Sequence, residues 1–133
     1  MEAINSAKIY PNLNLNLNIL KVMPVNKENS AIPEQVKEGF KRRITHLENL
    51  MVVVCDFTNG PMPKPDPPHS HPHQQITYVA EGELFLFLDE KKHHLTQGDI
   101  FLVPSDLLHC IQTISRHVRL IDCFSPIRED FLK

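Results

Sequence analysis

Beyond residue 40 the chain breaks into a succession of short apolar runs, and that rhythm limits the fold more than any other feature. The runs KRRITHL, NLMVVVCDF, QITYVA, ELFLFLD, HHL, DIFLVP, LHCIQTI and HVRLIDCF are rich in Val, Ile, Leu and Phe. They are split by NGP, EGE, DEKK, QGD, PSD and SRH, which is turn chemistry. No stretch of the second half keeps a helical period for three turns. The pattern predicts an all-β antiparallel sandwich or barrel, not a fold of alternating strands and helices. Eleven prolines against four glycines suit stiff connections, and PMPKPDPP at 61–68 is the single low-complexity patch.

A chain of 133 residues, 41% of them hydrophobic, is long enough for one domain with its own core. We divide it into an N-terminal strand or arm with a loop (1–38) and a barrel (39–133). NLNLNLNI at 12–19 alternates with period two, setting Leu13, Leu15, Leu17 and Ile19 on one face. It reads as an ordinary edge strand in preference to an arm that pairs with a second subunit. VNKENSAIPEQVKEG (25–39) reads as a loop with one helical turn after Pro33. A net charge of −2 supplies no basic field for nucleic acid or anionic lipid, and no window reaches the apolar length of a membrane span. MEAINSAKIYPNLNLNLN has neither a basic start nor an apolar core of the export type, so a cytoplasmic location is expected. Cys55, Cys110 and Cys123 fit reduced thiols in strand-like runs, and three cysteines are too few for a four-thiolate zinc site.

HSHPHQQ at 69–75 crowds three imidazoles into seven positions, as either a polar exposed loop or a metal site. In a strand, residues i and i+2 share a face, so His69 and His71 point together, with Gln75 two pleats further on. His109, in the apolar LVPSDLLHC, offers an imidazole from another strand, where burial without a partner would be costly. His73 follows Pro72, which interrupts the strand, and reads as exposed or as a neighbour of the ligands, not as a ligand itself. His93 and His94 read as a solvated hairpin turn, while His46 and His117 carry no assigned chemistry. Cys110 adjoins His109 but faces the opposite way. In VRLIDCF, alternation sets Asp122 on one face with Val118, Leu120 and Phe124, an expensive place for a carboxylate. Arg128 follows closely enough to fold back over it. Two readings stay open: a structural Asp–Arg pair closing the barrel, or an acid/base with Arg128 gripping a substrate carboxylate.

HSHPHQQITYVAEG resembles the first cupin motif, through His69, His71, Gln75 and Gly82, and GDIFLVPSDLLHC resembles the second, through Gly98, Pro104 and His109. Gln75 stands where many cupins have Glu, and Asp106 replaces the usual glycine of the second motif. Together with LIDCFSPIREDFL, these stretches resemble the small KdgF-type cupins of pectin and alginate breakdown. The N-terminal segment of about 25 residues has no counterpart there. The resemblance implies a cupin jelly-roll barrel with an N-terminal extension, a homodimer, and a small anionic sugar as substrate. It implies a divalent metal held by His69, His71, Gln75 and His109, with Asp122, Phe124 and Arg128 catalytic. Zn, Ni, Mn and Fe all suit imidazole with oxygen, and the sequence does not choose among them. The implied reaction is the linearisation of 4,5-unsaturated monouronates. A metal-dependent dioxygenase and a non-catalytic sugar-acid binder are the competing classes.

Overall fold

A computed structural model of the chain describes residues 24–29 and 32–133. The strand expected at 12–19 lies outside the described residues. Residues 32–133 form one compact unit, and it is antiparallel β throughout. Its strands are β1 (Glu34–Lys37), β2 (Phe40–His46), β3 (Met51–Phe57), β4 (Gln74–Glu81), β5 (Glu83–Leu88), β6 (Lys91–Thr96), β7 (Ile100–Val103), β8 (His109–Thr113) and β9 (Val118–Ser125), followed by a 3-10 turn at Glu129–Leu132. Six strands make one sheet in the order β1-β2-β3-β9-β4-β7, and three make the other, β6-β5-β8. Among the described residues no helix is long and apolar enough to cross a membrane.

Alternation decides what lies inside. In β3, Met51, Val53, Cys55 and Phe57 point inward, and in β9 Val118, Leu120 and Phe124 do the same. With Val79 of β4 and Leu84 of β5 they make the main core, while Leu86, Phe101 and Val103 fill a second cluster. The proline run lies along β8 through three backbone hydrogen bonds, from Met62 N to Thr113 O, Asp66 N to Ile111 O and His69 N to His109 O. Proline cannot donate to a ladder, so this stretch covers the edge of β8 without continuing the sheet.

Two local expectations change. Glu34–Lys37 is a strand on the edge of the larger sheet, not a loop with a helical turn. All four residues are exposed, so EQVK carries no buried alternation to announce it. Its pairing with β2 is instead marked by the Glu34–Arg42 ion pair at 2.8 Å. His93 and His94 lie within β6, and the turn is made by Asp89 (φ 55°) and Glu90. Both histidines are solvent-exposed, as expected, and His94 meets Glu83 at 2.9 Å.

Candidate metal and acid–base site

The two histidine-bearing segments meet by one antiparallel bridge. His69 N donates to His109 O (3.0 Å) and His109 N donates back to His69 O (2.9 Å). Residues so paired project to the same side, and the two rings lie 4.3 Å apart. His71 arrives by a different route from the continuous strand its spacing suggests. A bend at Pro72–His73 separates it from β4, which begins at Gln74. Asp106 N donates to His71 O (2.8 Å) and holds this bend against the loop before β8. Asp106 has φ 66°, a left-handed conformation that a glycine adopts freely and that Asp tolerates better than most residues. The ligand-capable atoms of His69, His71 and His109 all lie within 4.8 Å of one another.

Tautomers follow from the outer ring nitrogens. His71 Nδ1 donates to His73 O (3.0 Å) and His109 Nδ1 donates to Leu107 O (2.8 Å). Each neutral ring then presents an unprotonated Nε2 inward. Burial, chiefly, pushes the His109 imidazole down to about 4 and lowers that of His71, so both are neutral near pH 7. Gln75 Oε1 sits 3.1 Å from His71 Nε2. Its amide nitrogen is directed elsewhere, donating to Thr77 Oγ1 at 2.9 Å. Two lone pairs therefore face each other in a buried site, an arrangement that a cation between them would satisfy. Three imidazoles and an amide oxygen are a fitting donor set for a borderline divalent ion.

Asp122 comes next to this cluster through strand register. Thr77 of β4 pairs directly with Asp122 of β9, and Gln75 pairs with Phe124. Thr77 Oγ1 donates to Asp122 Oδ1 at 2.6 Å, with Gln75 Nε2 3.5 Å from the same oxygen and Cys55 Sγ 3.5 Å from Oδ2. Burial raises the Asp122 carboxyl above the ordinary Asp value, against these hydrogen bonds and the Arg128 charge, which favour the ionised form. Asp122, Gln75, His69 and His109 line one cavity of about 280 Å³, with Phe124 and Arg128.

Arg128 does not close on Asp122. Its Nε and Nη2 donate to Asp130 at 3.1 and 2.9 Å, and its guanidinium lies over the rings of Phe124 (5.2 Å) and Phe131 (4.1 Å). His73 contributes its carbonyl to His71, while its own buried Nδ1 has no hydrogen-bond partner among the described residues. Sequence reading missed Thr77, Phe131 and Arg42, which stacks on Phe131 at 4.2 Å. Thr77 was within reach, being two residues from Gln75 on the same face. Phe131 and Arg42 come from opposite ends of the unit and carry no local signal.

Comparisons with known proteins agree with this fold. A Cupin domain model matches residues 61–124. The pectin degradation protein KdgF of Dickeya dadantii is 36% identical over 101 residues, covering 74% of this chain and 89% of that protein. Among solved structures, KdgF from Halomonas superposes with a TM-score of 0.74 at 30% identity, over 83% of this chain and 99% of its own. An RmlC-like cupin from Shewanella frigidimarina gives 0.74 at 33% identity, over 83% and 96%.

Proposed function

The chain belongs to the cupin family and, within it, to the KdgF-like proteins, and on that premise we propose that it opens the ring of 4,5-unsaturated monouronates released in pectin-type polysaccharide breakdown. What supports this reading is one arrangement: an ionisable Asp122 on the wall of the same cavity as His69, His109 and Gln75, with His71 within 4.8 Å of the other two imidazoles. His69, His71, His109 and Gln75 would hold the metal. A divalent ion there would act as a Lewis acid toward substrate oxygens, keeping its full positive charge because every ligand is neutral.

The substrate is a cyclic hemiacetal whose ring oxygen is also an enol ether conjugated to the carboxylate. Asp122 accepts the proton of the anomeric hydroxyl. Those O–H electrons form the aldehyde C=O as the C1–O5 bond breaks, leaving an enolate at C5. Asp122 returns the proton to C4, and the enolate becomes a ketone. The product is an isomer of the substrate, so no oxidant or co-reactant is consumed. Such general acid–base assistance is worth roughly 10²–10⁴-fold. Phe124 offers a flat wall to the ring. Arg128 uses two of its five N–H donors on Asp130, leaving three for a substrate carboxylate.

The test is to mix the metal-loaded protein with an unsaturated monouronate and follow the absorbance of the conjugated double bond. We expect its enzyme-dependent loss and the appearance of a keto-aldehyde of unchanged mass. Metal-loaded protein that leaves the absorbance untouched would overturn the assignment.

A further inference from the structure

We propose that Thr77 is a positioning residue that couples Gln75 to Asp122, one hydroxyl fixing both the Gln75 amide and the carboxylate of the acid/base. The proposal rests on the ring-opening reading for its Asp122 half and on the donor set alone for its Gln75 half. Thr77 is completely buried in the middle of β4, between the inward-facing Gln75 and the apolar Val79. A hydroxyl there is costly unless both its hydrogen and its lone pairs are used.

They are used in an order that leaves no freedom. An ionised carboxylate only accepts, so at 2.6 Å the Thr77 hydrogen belongs to Asp122 Oδ1. The hydroxyl oxygen is then left to accept, and the group facing it at 2.9 Å must be a donor, which is Gln75 Nε2. The amide is thereby locked with Oε1 toward His71 Nε2. Without the hydroxyl, the amide would gain by turning over, because its NH2 could donate to that unprotonated nitrogen. A flipped Gln75 would present a donor where a cation needs an oxygen. Asp122 would then keep only the weak Cys55 thiol donor at 3.5 Å, because the turned amide no longer directs its NH2 toward Oδ1. Thr77 does not line the cavity; it acts on substrate only through its two neighbours.

The experiment compares Thr77→Val, which keeps the β-branched shape, with Thr77→Ser, which restores the hydroxyl. Zn²⁺ is titrated into metal-stripped protein, and ring opening of an unsaturated monouronate is measured at saturating Zn²⁺. Thr77→Val should weaken Zn²⁺ roughly 10- to 100-fold, as loss of an outer partner of a ligand typically does. At saturating Zn²⁺ its kcat should fall by roughly 10- to 100-fold with KM nearly unchanged, and Thr77→Ser should recover both. A structural defect would not divide kcat from KM in this way. Wild-type Zn²⁺ affinity in Thr77→Val overturns the Gln75 coupling, and a wild-type kcat overturns the Asp122 coupling. A Thr77→Ser protein as impaired as Thr77→Val overturns the hydroxyl as the cause. Should Thr77→Val fail to fold, Thr77→Ser against Thr77→Ala makes the same comparison. The Zn²⁺ titration needs no turnover. A wild-type protein inert toward the monouronate would sink the ring-opening reading together with the Asp122 half, while the titration still decides the Gln75 half.

Discussion

Gln75 shows how much one atom changes at the scale of a residue. A glutamate there would place a second carboxylate against Asp122, at a position now occupied by an amide nitrogen 3.5 Å from Oδ1. It would also give up the donor that faces Thr77. Gln75→Glu is expected to tighten divalent metal, measured by competition with a chelator, and to raise KM for an anionic uronate by adding a negative charge at the site. Equal KM in the two fully metallated proteins would refute the charge argument. Asp122→Asn is the sharper substitution, because Asn can still accept the Thr77 hydrogen. Turnover should drop by roughly 10²-fold or more, with metal content and melting temperature close to wild type. An intact rate with a lowered melting temperature would instead make Asp122 a structural residue. Alternation in the sequence indicated that Asp122 faces inward with Val118, Leu120 and Phe124, and its contacts with the buried Thr77 and Cys55 agree. That Thr77 would be its closest partner was not readable, since 45 residues separate them and only strand register joins them.

At the scale of elements, the turns carry information that the strands do not. Gly82 joins β4 to β5 with φ 88°, and a Cβ on it would overlap the His117 carbonyl. Gly98, before β7, has φ 96°, yet a Cβ there would meet open space. The backbone term alone predicts that Gly98→Ala costs about 1–2 kcal/mol. Gly82→Ala should cost that and roughly 1–3 kcal/mol more for the overlap. Urea-unfolding midpoints of the two variants measure the difference, and equal losses would mean that the turn relaxes away from His117. Buried strands such as MVVVCDF were legible because one face is in the core and the other is only half-covered. β1 was not, because a strand exposed on both faces leaves no alternation in its sequence.

For the whole unit, the core and the site share a wall, since Val53, Cys55, Leu120 and Phe124 belong to both, but the ligands themselves lie outside the core. Met51, Val53, Val79, Leu84 and Val118 pack with almost no exposure, and none of the candidate ligands belongs to that cluster. The metal-free protein should therefore still unfold in one cooperative transition with its β-sheet circular dichroism intact. Binding one divalent ion at one hundred times its Kd adds about 2.7 kcal/mol by mass action. For a domain of this size that raises Tm by roughly 10–20 °C at the usual 4–8 °C per kcal/mol. A chelated protein that lost its sheet signal at room temperature would show that the barrel needs the ion to fold.

The sequence alone determined the fold class, because strand length, inward alternation and turn residues are local properties written into consecutive positions. It also placed Asp122 on the inward face, since parity is local too, whereas His71 joins the cluster through the bend at Pro72–His73 and not through strand parity. Distance was left to the tertiary structure. Whether Arg128 meets Asp122 or Asp130, and whether a hydroxyl at 77 reaches a carboxylate at 122, depends on how β9 registers against β4 and where the chain turns after Pro126. Register is set by the packing of the whole core, because a slip of one residue would turn every inward side chain outward.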